Sequence, residues 1–329
     1  MWCGVVPDGT EAPGRPAELI ARRMRHGGAA GAHGDGARLA LVIEGGSARG
    51  AYSHGMVMGL EELGVLRCFD AVYGASAGAL NGAWLLCGRA VRARRAWHSD
   101  VVRRVISPAR ALRGGSVVDT RYLVHTVYER VVPMDFPAIL ANPVTFHPIG
   151  TDIADGSPVD LHPHITDVAS LQRALRASTC MPVLAGRPVA LGGRRFVDAG
   201  LSESVPVRTA RAQGATHLVV LRTRRADEKP STPSEFERRV VARALGGYGP
   251  RLAESWGARA AQFVLDEQRM VADPSILQIR PPLDAPAVGR VARDATVLLR
   301  ALDLGRAATR TALSEVVAPV DRSGRDTAV

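Results

Sequence analysis

The chain has 329 residues, of which 46% are hydrophobic and 22% are charged, proportions typical of a globular protein rather than a disordered or fibrous one. The formal net charge is +10, yet Lys229 is the only lysine and the arginines are scattered among alanines. No segment concentrates five or more like charges, so we expect no nucleic-acid partner. A mild attraction to anionic surfaces, including membranes, remains expected.

The first elements along the chain alternate between strand and helix. Residues 1–38 are rich in Gly, Ala, Pro and Arg, and we expect a flexible tail without a secretory signal. The apolar run at 39–43 predicts a buried strand, and a Gly-rich turn and a helix over 51–63 follow. A second strand is predicted at 68–73 and a second helix at 77–86. This βαβα order indicates an α/β fold with a parallel sheet.

The later elements extend the same pattern. Residues 89–140 are Arg-rich and predicted to be mostly helical. Further strands are predicted at 144–151, 158–161, 195–197, 217–221 and 276–279, and further helices at 167–177, 236–270 and 290–303. The late strand predicts that the mainly helical C-terminal part, residues 223–329, rejoins the sheet formed by residues 39–222. The uncharged run at 71–88 is too rich in small residues to predict a transmembrane helix.

A pentapeptide between the second strand and its helix matches the pattern G-x-S-x-G. Gly74 and Gly78 permit a sharp turn that projects Ser76, and the helix that follows directs its N-terminal amides toward the serine. Ser76 is therefore a candidate nucleophile. A plain Gly-rich turn between strand and helix is the alternative.

The segment EGGSARG, residues 44–50, also lies between a strand and a helix. Successive amides in such a loop form an anion-binding nest. A nucleotide-binding loop is the alternative, but the segment lacks G-K-[ST], and G-x-G-x-x-G fails at Ser47. Because the carboxyl ends of neighbouring parallel strands meet at one crevice, an oxyanion hole beside Ser76 fits better.

A serine nucleophile needs a base, and the sequence offers two. Asp198 ends a short predicted strand beside a glycine, in the segment FVDAG. His217 would complete the order Ser, Asp, His of α/β-hydrolases, but it opens an apolar run. Only about thirty residues separate the two Gly-rich motifs, fewer than in α/β-hydrolases. We therefore prefer Asp198.

The three motifs EGGSARG, GASAG and FVDAG, in this order, resemble those of the patatin-like phospholipases. The resemblance covers residues 39–222 and implies a three-layer α/β/α sandwich with a mainly parallel central sheet. It also implies a lipid acyl hydrolase with a Ser-Asp dyad, in which Ser76 is the nucleophile and Asp198 the general base. The oxyanion loop would comprise Gly45, Gly46, Ser47, Arg49 and Gly50, with Arg49 ordering the loop, and Gly74 and Gly78 would flank the nucleophile.

Two residues depart from the family pattern. Ser47 replaces the third glycine of the family's triplet, and Ala199 replaces a glycine after the aspartate. Either change would cost about 1 kcal/mol or more if its backbone needs a left-handed conformation. A catalytically weak or inactive member that only binds lipid or membranes is therefore the alternative function.

The implied reaction is a two-step acyl transfer on an acyl-ester lipid through an acyl-enzyme, and it requires no metal and no organic cofactor. Cys3, Cys68, Cys87 and Cys180 form no CxxC pair, which predicts a reducing compartment, the cytoplasm. We expect a buried thiol at Cys180.

Other features have structural explanations that we prefer. His54 is expected to pack in the core, and His162 and His164 to face solvent rather than hold a metal. The Arg-rich segment 89–140 predicts either a solvated face or a basic cover that contacts an anionic membrane peripherally.

Overall fold

A computed structural model describes residues 15–314, apart from residues 29, 32, 183 and 229–234. One mixed sheet of eight strands runs through this part of the chain. The strands are β1 Leu39–Ile43, β2 Ala71–Ala75, β3 Thr145–Asp152, β4 Pro158–Asp160, β5 Val189–Leu191, β6 Arg194–Asp198, β7 His217–Leu221 and β8 Ile276–Ile279.

The sheet order is β5-β6-β3-β2-β1-β7-β8, and β4 pairs with β3 outside this path. The five neighbouring strands β3, β2, β1, β7 and β8 are mutually parallel, whereas β4, β5 and β6 join by antiparallel pairing. This arrangement confirms the predicted α/β fold with a mainly parallel central sheet.

Helices cover both faces of the sheet. Alternate residues of β1 point to opposite faces: Leu39 and Leu41 belong to one hydrophobic cluster, and Ala40 and Val42 to another. The first cluster includes the helices over Gly50–Glu62, Ala77–Leu86 and Ala295–Ala312, and the second includes those over Val207–Ala212 and Pro250–Ala272. The helices are α1 Pro16–His26, α2 Gly50–Glu62, α3 Ala77–Leu86, α4 Ser99–Val105, α5 Thr120–Tyr122, α6 Phe136–Leu140, α7 Val168–Thr179, α8 Val207–Ala212, α9 Glu235–Gly246, α10 Pro250–Ala272 and α11 Ala295–Ala312.

The C-terminal part packs into the same structure. Strand β8 pairs in parallel with β7, and α11 packs closely along α2. The two helices approach at glycines: a Cβ on Gly55 would lie 1.9 Å from the carbonyl oxygen of Leu302, and one on Gly305 would lie 2.1 Å from that of Tyr52. The helix after the glycine loop is thus held in place by the end of the chain.

This contact predicts a large loss of stability for Gly55→Ala. The added methyl group overlaps backbone, which cannot rotate away, so we expect the free energy of unfolding to fall by about 3 kcal/mol. Gly257→Ala in α10 is the matched control, because no heavy atom lies within 4 Å of that Cβ position. It should change stability little or raise it by up to about 1 kcal/mol. Urea unfolding followed by circular dichroism measures both, and equal stability of Gly55→Ala and the wild type would contradict the close packing.

The prediction of a flexible tail over residues 1–38 is wrong for its second half. Helix α1 covers Pro16–His26, and its Arg23 is buried. The Arg23 guanidinium donates to the carboxylates of Asp35 and Asp70, at 2.9 and 2.8 Å, and to the carbonyl of Cys68. These charge-assisted hydrogen bonds tie the helix to the turn before β2. Residues 1–14 lie outside the described part of the chain.

Several predicted boundaries also shift. Strand β2 begins at Ala71 rather than at residue 68, because Val65–Cys68 forms a short 3-10 helix. The last helix begins at Ala295 and extends to Ala312. Strand β5 and helix α8 were not predicted, since each is short and has no periodic apolar pattern. Within the described residues, no helix is both long and apolar enough to span a membrane.

Candidate active site

Ser76 lies in a sharp turn between β2 and α3. Its backbone has φ 53° and ψ −124°, a sparsely populated conformation for a residue with a side chain. A Cβ on Gly74 would lie 2.5 Å from Cα of Ala79, and one on Gly78 would lie 2.2 Å from the carbonyl oxygen of Ile43. The turn therefore needs glycine on both sides of Ser76, as the motif predicted.

The structure brings Ser76 and Asp198 together although 122 positions separate them in sequence. The Oγ hydroxyl of Ser76 donates to Oδ2 of Asp198 at 2.7 Å, and both residues are buried. Asp198 ends β6, which pairs with β3 beside β2. The other carboxylate oxygen of Asp198, Oδ1, accepts from the Gly200 amide at 2.7 Å. This geometry lets the carboxylate take the hydroxyl proton directly.

His217 lies at the wrong end of the sheet to serve the same role. It is the first residue of β7 and is in register with Leu39, the first residue of β1. Ser76 follows the carboxyl end of β2, where Gly74 is in register with Ile43, the last residue of β1. Of the two candidate bases, only Asp198 contacts Ser76.

Burial sets the acidity of the candidate base. It raises the pKa of Asp198 to about 6, although the hydrogen bonds from Ser76 and Gly200 and the charge of Arg290 act in the opposite direction. A carboxylate with this pKa is ionised at neutral pH. It is also a stronger proton acceptor than an ordinary aspartate.

Hydrogen bonding identifies which amides of the glycine loop are open. The Gly45 amide donates to the carbonyl of Ser204 at 2.9 Å, and the amides of Arg49 and Gly50 donate within the loop itself. Of the five residues expected at the oxyanion hole, Gly45, Arg49 and Gly50 therefore have amides that already donate elsewhere. Among the described residues that line the cavity next to Ser76, the amides of Gly46, Ser47 and Ala77 have no acceptor.

The remaining loop residues act by packing. A Cβ on Gly45 would lie 3.1 Å from the Cβ of Ser76, so this glycine lets the loop lie against the serine turn. A Cβ on Gly50 would lie 2.6 Å from the Cβ of Ala77. The Arg49 side chain is mostly buried and lies 3.6 Å from Glu228, in the cavity that Ser76 also lines.

Of the two departures from the family pattern, only Ser47 adopts a strained backbone. Its φ is 53°, whereas Ala199 is not among the described non-glycine residues with positive φ. Ala199 therefore fits its position at no conformational cost, and Ser47 carries the cost of a left-handed residue with a side chain.

This difference predicts that Ser47→Gly is more stable than Ser47→Ala. Both variants lack the hydroxyl group, but only glycine adopts the positive φ freely, so we expect a difference of about 1 kcal/mol in the free energy of unfolding. Thermal unfolding by calorimetry measures it. Equal stability of the two variants would show that the backbone at this position is unstrained.

A buried ion pair to Arg222, directly after β7, holds the Gly-rich loop of residues 44–50 in place. Glu44 and Arg222 are fully buried, and the Nε of Arg222 donates to the Glu44 carboxylate at 3.0 Å. The Thr223 amide donates to the same carboxylate at 2.8 Å, and the Thr223 hydroxyl donates to the Gly45 carbonyl at 3.0 Å. Burial alone would raise the pKa of Glu44, but the neighbouring arginines outweigh it and lower the pKa.

Sequence reasoning missed this pair and a second contact at Ser76. The Ser76 amide donates to the Ser178 hydroxyl, on α7, at 3.0 Å. The sequence carried one signal for the ion pair, a glutamate directly before two glycines, because a carboxylate that is buried needs a cation as its partner. Neither partner could be located, since each lies more than 100 positions away.

The other candidates have structural roles. His54 is buried, bonds to Asn81 and the carbonyl of Ala90, and has its pKa lowered to about 4 by burial. Burial raises the pKa of Cys180 to about 12, which disfavours the thiolate form. His162 bonds to the carbonyl of Phe146. Within the described residues, no group of three or more His, Cys, Asp or Glu is placed to hold a metal ion.

The Arg-rich segment 89–140 presents its charges outward and its apolar residues inward. Arg94 pairs with Asp303, and Arg95 pairs with Asp100, each at 2.6 Å and partly exposed. Apolar side chains of the same segment line the cavity at Ser76: Trp97, Val102, Val105, Ile106, Val118 and Leu123. The segment thus forms a wall of the cavity, a role that its composition did not indicate.

Comparisons with known proteins relate the chain to one family and to two individual proteins. The model of the patatin-like phospholipase family matches residues 41–211. The chain is 32% identical over 191 residues to the uncharacterized protein YjjU of Escherichia coli (strain K12), a match over 56% of this chain and about half, 52%, of YjjU. The crystal structure of VipD from Legionella pneumophila is similar with a TM-score of 0.43 and 12% identity, over 85% of this chain and 67% of VipD. Since the family model covers more than half of the chain, the chain belongs to the patatin-like phospholipases, a family of lipid hydrolases.

Proposed function

We propose that the chain is a serine-dependent lipid acyl hydrolase that acts through a Ser76–Asp198 dyad. The observation that carries the proposal is the 2.7 Å hydrogen bond from the Ser76 hydroxyl to the Asp198 carboxylate. Family membership supports lipid-ester hydrolysis in general, and the contact supports these two residues as the reacting pair.

The first step acylates the enzyme. Asp198 takes the proton of Ser76 as Oγ attacks the ester carbonyl carbon, and the open amides of Gly46 and Ser47 donate to the oxygen that becomes negative. The tetrahedral intermediate then collapses, the bond to the alcohol oxygen breaks, and the protonated Asp198 returns the proton to the leaving alcohol.

The second step releases the fatty acid. Water attacks the acyl-enzyme carbonyl while Asp198 accepts one of its protons, and collapse of the second intermediate returns that proton to Ser76 Oγ. The strained turn holds Ser76 in place throughout, and the Ser178 hydroxyl keeps the Ser76 amide satisfied.

The cavity lined by Ser76 suits an acyl chain. Its volume is about 220 Å³, and one wall is built from apolar side chains of α3, α4 and the segments around them. Apolar walls with a few fixed polar groups are typical of sites for small molecules. We therefore propose esters of fatty acids as substrates. The cytoplasmic location and peripheral contact with anionic membranes remain predictions.

The proposal is tested by following fatty-acid release from a lysophospholipid and a monoacylglycerol, beside p-nitrophenyl esters of two to twelve carbons. We expect kcat/KM to rise with acyl length until the apolar wall is covered. Vesicle binding without turnover of any of these esters would overturn the proposal and favour the alternative, a lipid-binding member without catalysis, for which the strain at Ser47 is the one supporting observation.

A further inference from the structure

The cavity at Ser76 has two walls of different chemistry. The apolar wall comes from the segment between Leu80 and Tyr128. The other wall is basic: Arg49, from the glycine loop, is joined there by Arg224 and Arg290, which both lie beyond the region matched by the family model. A basic wall is not required for attack on a neutral ester, so its arginines call for a separate explanation.

Arg224 lines the cavity and carries buried donors without a hydrogen-bond acceptor. Its Nε and one terminal nitrogen are buried without a hydrogen-bond partner, and only 11% of the side chain is exposed. Its Nε lies 3.8 Å from Oε1 of Glu44, too far for a hydrogen bond, and Arg222 and the Thr223 amide both donate to the other oxygen, Oε2. Buried donors without acceptors are costly, and a bound anion would satisfy them.

The ring of an aromatic residue fixes the orientation of Arg224. The guanidinium carbon lies 4.4 Å from the ring centroid of Phe263, on α10, which also lines the cavity. Stacking of this kind leaves the edge of the guanidinium group free to donate. The side chain is thus held in one place before any ligand arrives, which lowers the cost of binding.

Arg290 lies beside the candidate oxyanion hole. Its carbonyl accepts from the Ala48 amide at 3.1 Å, and its positive charge acts to lower the pKa of Asp198. The pKa of Arg49 is lowered to about 10, first by burial and then by the charges of Arg224 and Arg290. The charges of Arg224 and Arg290 thus each act on Arg49, and a bound anion would offset these like charges.

The acidic side chains near this wall are already engaged. Glu203 and Asp266 both line the cavity, and they lie 3.8 and 3.4 Å from the same cation, Arg208. Glu228 lies 3.6 Å from Arg49. Of the other two arginines, Arg224 lies 3.8 Å from Glu44 without a hydrogen bond to it, and Arg290 forms no ion pair with a described residue.

We propose that Arg224 and Arg290 form a subsite for the phosphate group of the substrate, so that acyl esters with an anionic phosphate head group are preferred over zwitterionic phosphocholine lipids. The inference rests on the proposed function, because it assigns the head group of that function's substrate. Arginine suits this role, since its planar group donates two parallel hydrogen bonds to phosphate oxygens.

Calorimetry on the Ser76→Ala variant tests binding without turnover. Dodecyl phosphate and dodecylphosphocholine, both below their micelle concentrations, share the alkyl chain and differ in head group. We expect the phosphate to bind about tenfold more tightly or better. Inorganic phosphate, which lacks the chain, should bind more weakly than dodecyl phosphate; equal binding would mean that the site takes free phosphate and would overturn the lipid assignment.

Variants of Arg224 and Arg290 test whether these two residues cause the preference for dodecyl phosphate. Arg224→Gln and Arg290→Gln, each made in the Ser76→Ala background, should weaken the binding of dodecyl phosphate by about tenfold. Most of the preference for dodecyl phosphate over dodecylphosphocholine would then be lost. Arg290→Lys keeps the positive charge and should retain part of the preference for dodecyl phosphate. The matched control is Arg293→Gln, at an exposed arginine outside the cavity, and it should change the affinity for neither ligand. Thermal unfolding of each variant checks that the fold is kept, and the Lys variant tests the charge if a Gln variant does not fold.

The result is separable from the proposed function. Absence of ester turnover by the wild type, together with a preference for dodecyl phosphate, would overturn the hydrolase and leave the subsite standing. Equal affinity for the two amphiphiles, or equal losses in Arg293→Gln and Arg290→Gln, would overturn the subsite whatever the turnover assay shows.

Discussion

Replacing Ser76 by alanine is expected to lower kcat/KM for ester hydrolysis by about a thousandfold or more. The variant lacks the atom that attacks the carbonyl, and loss of a nucleophile leaves only binding and the oxyanion amides to assist water. Hydrolysis of a p-nitrophenyl acyl ester by purified protein measures the change. Activity within tenfold of the wild type would exclude Ser76 as nucleophile.

Two controls separate lost chemistry from lost structure. Ser157→Ala, in the hairpin between β3 and β4 and outside the cavity, should leave kcat/KM unchanged. Ser76→Ala itself should keep the thermal stability of the wild type, since alanine fills the same Cβ position in the same strained turn. A large fall in stability would mean that the serine turn depends on the Oγ hydrogen bond to Asp198.

Replacing Asp198 by asparagine is the second large effect. Asparagine keeps the shape of the side chain but does not take the proton of Ser76, so we expect kcat/KM to fall by about a hundredfold to ten-thousandfold. Glu203→Gln is the matched control, because Glu203 is also a buried carboxylate lining the cavity, but it bonds to Thr209 rather than to Ser76. Similar losses in both variants would point to the charge of the cavity instead of a specific base.

The pH profile follows from the same residue. Burial raises the pKa of Asp198 to about 6, and only the ionised carboxylate accepts a proton, so kcat/KM should fall as the pH drops below about 6 and level off above it. Asp198→Asn should lack this acidic limb. A wild-type limb centred near pH 4 would show that the carboxylate is hydrated rather than buried.

The raised pKa of Asp198 also affects stability, and its effect on stability has the opposite pH dependence to its effect on kcat/KM. The pKa of Asp198 is higher in the folded chain than the ordinary value of 3.8, so the folded state binds more protons between about pH 4 and pH 6. Stability from this group is present at low pH and is lost as the pH rises through that window. At pH 7 we therefore expect Asp198→Asn to be more stable than the wild type while it is far less active.

The local part of the site could be predicted from the sequence, because turns between parallel strands and helices have short patterns. The pentapeptide around Ser76 and the position of Asp198 two residues before Gly200 are such patterns. The contact between Ser76 and Asp198, at 2.7 Å, follows from the order of the strands. The open amides of Gly46 and Ser47 could not be separated from that of Gly45. Which amide is open depends on the Ser204 carbonyl, a distant partner.

The long-range part could not be predicted, since it depends on pairs that no local pattern links. Arg222 anchors Glu44 across 178 positions, and Arg290 reaches the glycine loop from the C-terminal part. Arg23 shows the same limit in the N-terminal segment: its composition indicated a tail, but buried bonds to Asp35 and Asp70 order it. A charged residue in a biased segment gives no sign of being buried until its partners are known.

The most direct test of the account is covalent labelling with a fluorophosphonate, followed by mass spectrometry of the intact chain and its peptides. An activated serine attacks phosphorus and displaces fluoride, so we predict one adduct per wild-type chain, on Ser76. Labelling should be absent in Ser76→Ala and much slower in Asp198→Asn. A folded wild-type chain that takes no label, or an adduct that persists in Ser76→Ala, would contradict the central claim that this dyad activates Ser76.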